Sequence, residues 1–242
     1  MATVNEITGS SVNSLMQEYM TIANNLANAS TAGYKRRVNA FSQILETVQN
    51  TGAQTASEQS VTLGIDFTQG HAIQTGRRLD LALQGDGFFV VETPEGALYT
   101  RNGTLQVNGQ GQVVDAQGRI IAGESGAIVI PKEVSISDLN ISDDGKISSG
   151  DLTIGRFRIV EFENRQSDLK PAGGNCFAAV GEAEPALAKN TMVRQGYQES
   201  SNVNTMEELV GLITVTRVYE SSMKVLTAKT DADKNLLSVA MG

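Results

Sequence analysis

The chain of 242 residues has no tryptophan, one cysteine and one histidine, and only 5% of its residues are aromatic. Ligand pockets and compact binding hot spots lean on large rigid aromatic contacts, and so do sugar platforms, so this scarcity argues against them. A single thiol excludes an intramolecular disulfide. It sits in the apolar run Cys176-Phe177-Ala178-Ala179-Val180, which reads as a buried, inert cysteine. The single histidine, His71 in Thr68-Gln69-Gly70-His71-Ala72-Ile73, has no recognisable partner for general-base chemistry and reads as a surface or interface residue. Zinc sites and activated nucleophiles need converging ligands or an adjacent base, and one His with one Cys does not provide them. A basic excess is also missing. With 27 acidic against 19 basic residues the net charge is -8, which argues against the electrostatic footprint of a nucleic-acid binder. The first residues, Met1-Ala2-Thr3-Val4-Asn5-Glu6, have neither a basic n-region nor an apolar h-region, so no cleavable secretion signal is expected, and no membrane span is visible.

Phosphate-binding patterns are absent too. Gly85-Asp86-Gly87 and Gly109-Gln110-Gly111 complete neither a dinucleotide fingerprint nor a P-loop, and their neighbours read as hairpins. Asn140, Ser142, Asp144, Gly145 and Asp151 fall at the spacing of a calcium loop. Asn and Ser open such a loop weakly, Asp replaces its usual final Glu, and no helices flank it; a β-turn at Asp143-Asp144-Gly145 accounts for the same residues. No catalytic residue, cofactor site or metal site is therefore expected.

What is present is ordinary globular material, 40% hydrophobic and 19% charged, at a length that suits one sizeable unit with an appendage. Val12, Leu15, Tyr19, Ile22 and Leu26 recur at helical spacing and predict an amphipathic helix ending near Asn28, where Ala29-Ser30-Thr31-Ala32-Gly33 offers hydroxyls and a glycine stop. Val38, Phe41, Ile44, Leu45 and Val48 extend or flank this helical region, and the small polar residues 50–62 read as a linker. From about Ile65 to Arg194 the pattern changes to short β-rich runs broken by Pro94-Glu95-Gly96, Asn102-Gly103, Asn108-Gly109 and similar turns. Phe88-Phe89-Val90-Val91 with Leu98-Tyr99-Thr100, and Leu105-Gln106-Val107 with Val113-Val114, read as hairpin arms. Thr205 to Leu237 is helical again, with Glu207 and Glu208 placed to complement the dipole of its first turn. One stripe runs through Leu209, Leu212, Thr216, Tyr219, Met223 and Leu226, a second through Val215, Val218, Val225, Ala232 and Leu236. Apolar residues at helical spacing usually mean ordinary core, but two terminal helices with so broad an apolar face have little of the remaining sequence to cover them.

The N-terminal helix ends in Ile22-Ala23-Asn24-Asn25-Leu26-Ala27-Asn28-Ala29-Ser30-Thr31-Ala32-Gly33-Tyr34-Lys35-Arg36, which resembles the signature of the flagellar axial rod and hook family. Gln195-Gly196-Tyr197-Gln198-Glu199-Ser200-Ser201-Asn202-Val203-Asn204, leading into Glu207-Glu208-Leu209-Val210, is similar to that family's entry into its C-terminal helix. Between them, Leu79-Asp80-Leu81-Ala82-Leu83-Gln84-Gly85-Asp86-Gly87-Phe88-Phe89-Val90-Val91 and Tyr99-Thr100-Arg101-Asn102-Gly103 resemble its β domain, so the likeness spans the chain in order. The early helix departs from the family pattern at Asn5, Asn13 and Ser14, which leaves its start open. The short connection from Tyr34 to Leu79-Asp80 is closer to proximal rod members than to distal rod or hook members.

The resemblance implies an α+β fold in which residues 1–64 and 195–242 form a terminal helical assembly domain, with the two helices paired, and residues 65–194 form a central antiparallel β domain. It implies a non-enzymatic subunit of the basal-body rod in the periplasm, which stacks helically on copies of itself and on neighbouring rod proteins into a hollow, torque-transmitting axle. Delivery would be through the flagellar type III export apparatus, without a cleaved signal, membrane insertion or nucleic acid. The residues it carries over as an assembly motif are Asn24, Asn25, Leu26, Ala27, Asn28, Thr31, Gly33, Tyr34, Ser201, Asn202, Val203, Asn204, Glu207, Leu209, Tyr219 and Met223. Physically, Asn24, Asn25 and Asn28 suit local backbone hydrogen bonds at a helix stop, Leu26 continues the apolar stripe, and Asn202 and Asn204 suit capping of the C-terminal helix. A β-rich surface binding module and a hydrolase using carboxylates of the β region stand as alternatives, though neither accounts for the paired terminal motifs.

Overall fold

The computed structural model describes residues 4–39, 63–181 and 183–241. The chain is α+β, combining long helices with antiparallel sheets. Its described residues fall into two compact units, one drawn from Met1–Ala29, Arg37–Ile65 and Val203–Gly242, the other from Ser30–Arg36 and Asp66–Asn202. The expected boundaries at 64/65 and 194/195 differ from these. Residues 30–36 and 195–202 belong to the β-rich unit, because their backbones pair with it rather than continuing the helices.

The first unit holds the N-terminal helix Val4–Ala27, the C-terminal helix Thr205–Met241 and a two-stranded ladder, Arg37–Asn39 with Leu63–Ile65. Of the N-terminal stripe, Ile22 is buried, Val12, Leu15 and Leu26 are half-buried, and Tyr19 is exposed. The helix stops as the Asn28 N–H turns back to the Asn24 and Asn25 carbonyls. Val38, expected to extend or flank the helical region, lies in the ladder opposite Gly64. A side chain supplies the reason: Asn25 accepts from Arg37 N and donates to Arg37 O at 2.9 and 2.8 Å, giving that residue the hydrogen bonds a helix would have provided internally. Phe41 to Val48 and the expected linker at 50–62 lie outside the described residues.

Asn204 starts the C-terminal helix. Its Oδ1 accepts from Met206 N at 3.1 Å and its amide donates to Glu207 Oε1 at 2.7 Å, a variant of the capping box. Along the helix Leu212, Val215, Thr216, Tyr219 and Leu226 are half-buried, whereas Leu209, Val218, Met223 and Val225 are exposed. A methyl at Gly211 would stand 3.3 Å from Ile22 Cδ1, so the glycine accommodates that side chain.

The second unit is built on a sheet in the order Leu169–Gly173, Cys176–Ala179, Gly96–Thr100, Phe88–Thr93, Ile120–Gly123, Val113–Val114, Gln106–Val107. Both expected hairpins form: Phe89 pairs with Thr100 through to Thr93 with Gly96, and Gln106–Val107 pairs with Val113–Val114. Smaller ladders join Leu81–Gln84 to Met192–Gln195 and Ala72–Gln74 to Tyr197–Glu199, and a meander occupies Leu139–Arg156. Phe88 to Val91 are all buried because both faces of their strand are covered. Phe88 packs edge-on to Phe67, Phe162 and Phe177, while Phe89, pointing the other way, meets Phe157. The few aromatics are concentrated in this core. The loop with calcium-like spacing is a turn: Gly145 N donates to Ser142 O at 2.8 Å, Gly145 has φ 78°, and Asp144 pairs with Arg156 at 2.7 Å.

Candidate assembly site

Within the β-rich unit, the segment Ser30–Arg36 threads between residues far along the chain. Gly33 has φ 66°, and a Cβ there would meet Asn102 N at 2.5 Å and Arg101 C at 2.6 Å, so backbone conformation and contact both require glycine. Its N–H donates to Glu199 O at 2.7 Å. Two residues on, Lys35 Nζ lies 2.6 Å from both Glu199 Oε1 and Thr68 O, with the Lys35 and Glu199 side chains almost fully buried. Gly70 N also donates to Glu199 Oε1, at 3.0 Å. Arg101, equally buried, approaches the other carboxylate oxygen at 3.7 Å and covers the Phe88 ring at 4.8 Å. Two buried cations thus share one buried carboxylate. Burial pushes the Lys35 ammonium below its usual range, with Glu199 opposing it, and pulls Arg101 down in the same way.

Asn202 was expected to cap the C-terminal helix, and it does not. Its Oδ1 accepts from Arg36 N at 2.7 Å, while its amide donates to Asp66 O at 2.9 Å, Thr68 O at 3.1 Å and Thr68 Oγ1 at 3.0 Å. It is a strut between the segments at Arg36 and at Asp66–Thr68, whereas Asn204 stands next to the helix and caps it. Asn175 completes the cradle by donating to Ala32 O at 2.6 Å.

In the helical unit the three asparagines of the signature divide their work. Asn28 is local, donating to Asn24 O at 2.8 Å. Asn25, expected to act on neighbouring backbone as well, instead reaches twelve residues along to Arg37 and also donates to Glu208 Oε1 at 3.4 Å, both side chains being buried. Only a folded neighbour brings those acceptors within reach.

The sixteen motif residues accordingly separate into two groups. Thr31, Gly33, Tyr34, Ser201 and Asn202 lie in the β-rich unit, while Asn24, Asn25, Leu26, Ala27, Asn28, Val203, Asn204, Glu207, Leu209, Tyr219 and Met223 lie in the helical one. Gly33, Tyr34 and Ser201 are buried, and Thr31 and Val203 half-buried; Ala27 is exposed, and Leu209 and Met223 are each 39% exposed. The assembly motif carried over from the sequence omitted Lys35, Glu199, Arg101, Asn175 and Glu208. Its one available signal was that charged residues sat inside otherwise apolar or small-residue motifs.

Three family models match successive parts of the chain: residues 13–35 match the flagella basal body rod protein model, residues 82–149 the flagellar hook protein FlgE/F/G D1 domain, and residues 194–239 the flagellar basal body rod FlgEFG protein C-terminal model. The chain is 36% identical to the flagellar basal-body rod protein FlgF of Salmonella typhimurium, over 91% of this chain and 90% of that one. It is 34% identical to FlgF of Escherichia coli, over 92% of each chain, and 34% identical to the basal-body rod protein FlgG of Buchnera aphidicola from Acyrthosiphon pisum, over 85% and 87%. The chain belongs to the flagellar basal-body rod protein family.

These relatives are structural rod proteins rather than enzymes, and the chain is of that kind. The buried charge cluster maps onto the family in an informative way. Lys35 lies in the rod-protein match, Arg101 in the D1 match and Glu199 in the C-terminal match, so the three rod-family segments meet at one carboxylate. Cys176, outside all three, is buried, with Arg119 Nη2 at 3.0 Å from its sulfur; burial raises the thiol above its usual range and keeps it protonated. Among the described residues no helix is long and apolar enough to cross a membrane.

Proposed function

We propose that this rod protein is a proximal-rod subunit of the FlgF type, assembling through its paired terminal helices, with residues 66–202 forming a β domain. Stacked copies, continued by neighbouring rod proteins, form the hollow shaft that crosses the periplasm and transmits torque. Subunits reach it through the flagellar export apparatus. The observation that carries the reading is the apolar surface exposed on the terminal helices among the described residues: Met16 is 47% exposed, Met20 58%, Met206 71%, Val210 63%, Ile213 54% and Val225 62%. Large apolar side chains exposed repeatedly along both helices are the mark of an interaction site. Packing it against other subunits yields a dense, poorly compressible interior that resists sliding under load. A distal FlgG-type role is the second reading, supported by FlgG relatives of similar identity.

An in-frame deletion in the source bacterium is expected to abolish swimming and to leave basal bodies whose rods stop before the hook, with recovery on return of the gene. Intact basal bodies in the deletion strain refute the assignment. Rescue of a strain lacking FlgF, but not of one lacking FlgG, separates the two readings. Leu26→Asp and Met223→Asp are each expected to block incorporation while the β domain stays folded, since each puts a charge on a surface that assembly buries. Normal rods from either variant refute the packing role.

A further inference from the structure

The β-rich unit carries an apolar cleft of about 420 Å³ at the end strand Gln106–Val107 of the main sheet. Leu79 and Leu105 are buried in its floor and joined by a 3.0 Å hydrogen bond from Leu105 N to Leu79 O, while Val107 is half-buried and Ile136 is 45% exposed at its side. Two arginines stand at its rim. Arg77 is tied to Asp80 at 3.2 Å, and Arg78 is exposed with no ion-pair partner among the described residues. Elsewhere on the same unit the strand Ala186–Leu187 pairs only with Ile159–Glu161, leaving its second edge without a strand among the described residues. Leu187 is 60% exposed there, and Ala186 and the preceding Glu184 are exposed as well.

We propose that the cleft beside Gln106–Val107 receives the Glu184–Leu187 edge of a second copy of this chain, with Leu187 entering beside Ile136 and Glu184 meeting Arg78. The proposal rests on the self-assembly reading above and adds a contact between β-rich units to it. Unpaired strand edges template pairing with another chain, and an apolar cleft rimmed by cations selects an apolar, acidic edge over a basic one. The two surfaces are different patches of one molecule, so the contact is heterologous. Repetition then builds an open helical series rather than a closed dimer.

The test uses full-length chains and disulfide capture, with the buried Cys176 left in place. Ile136→Cys protein mixed with Leu187→Cys protein is expected to form a cross-linked heterodimer that neither forms alone. Arg78→Glu in the first partner abolishes it, and Glu184→Arg in the second restores it. Chains that associate in sedimentation velocity but never join 136 to 187 overturn this contact and leave self-assembly standing. Chains that stay monomeric at every concentration overturn both. Capture of Ile136→Cys in cells by a different flagellar subunit, and never by a Leu187→Cys copy, overturns the choice of occupant.

Discussion

Replacing Glu199 by Gln should destabilise the β-rich unit far more than replacing Lys35 by Met, although both changes break the same 2.6 Å ion pair. The asymmetry follows from the buried charges. Glu199 is the one buried anion between the Lys35 and Arg101 cations, so its neutralisation strands two positive charges in a region nearly closed to water. Leaving a buried charge uncompensated costs about 3–5 kcal/mol. Removing the Lys35 charge instead leaves Arg101 and Glu199 as a neutral pair. Glu199 then keeps the Gly70 N–H, and Thr68 O keeps the Asn202 amide, so the cost is the lost hydrogen bonds, about 1–3 kcal/mol. The readout is hydrogen exchange at Gly33 and Gly70, whose amides both donate to Glu199. With about 1.4 kcal/mol per factor of ten, Glu199→Gln should accelerate exchange there by roughly two to four powers of ten, and Lys35→Met by about one or two. Equal acceleration, or a larger effect from Lys35→Met, refutes the shared-carboxylate account.

Gly33→Ala and Gly118→Ala both place a side chain at positive φ, which costs about 1–2 kcal/mol, but only at Gly33 does the new methyl strike backbone. Gly33→Ala should therefore lower the thermal midpoint more, and equal losses would contradict the threading described for residues 30–36. Asn25→Ala leaves buried polar groups unmatched and is expected to cost the helical unit about 1–3 kcal/mol by far-UV circular dichroism in urea, against about 1 kcal/mol for loss of the Asn204 cap. For Cys176, whose thiol is raised by burial, the unfolded chain releases its proton first as pH rises past the ordinary thiol range. The folded state then binds more protons, so this group's contribution to stability falls with increasing pH until the raised folded pKa is passed. Cys176→Ala should lose that alkaline component, and a thiol reagent should label the wild type only at the rate of opening; labelling as fast as a free thiol refutes its burial.

Much of the secondary structure was readable from the chain. The hairpin from Phe88 to Thr100 announced itself because a buried strand pair needs two apolar runs and a turn that glycine permits, and Pro94-Glu95-Gly96 lies between them. The C-terminal helix was equally plain, since Glu207 and Glu208 stand where carboxylates complement a helix start and the apolar stripes run on beyond them. Val38 was misleading because its sparse apolar neighbours fit helical spacing, while what decides its conformation is the Asn25 amide, which satisfies the adjacent Arg37 backbone. Asn202 was misleading in the opposite sense: it has the chemistry of a cap and sits two residues before the true one.

Local chemistry along the sequence thus determined that amphipathic helices flank β-rich segments, and that the signature motifs mark the chain as a rod and hook relative. Periodicity and turn residues act over a few neighbours and leave their trace in order. The meeting of Lys35, Arg101 and Glu199, the strut at Asn202 and the reach of Asn25 to Glu208 were decided by the tertiary structure alone. Each joins residues tens to nearly two hundred positions apart, and a buried charge or amide has no sequence periodicity that names its partner.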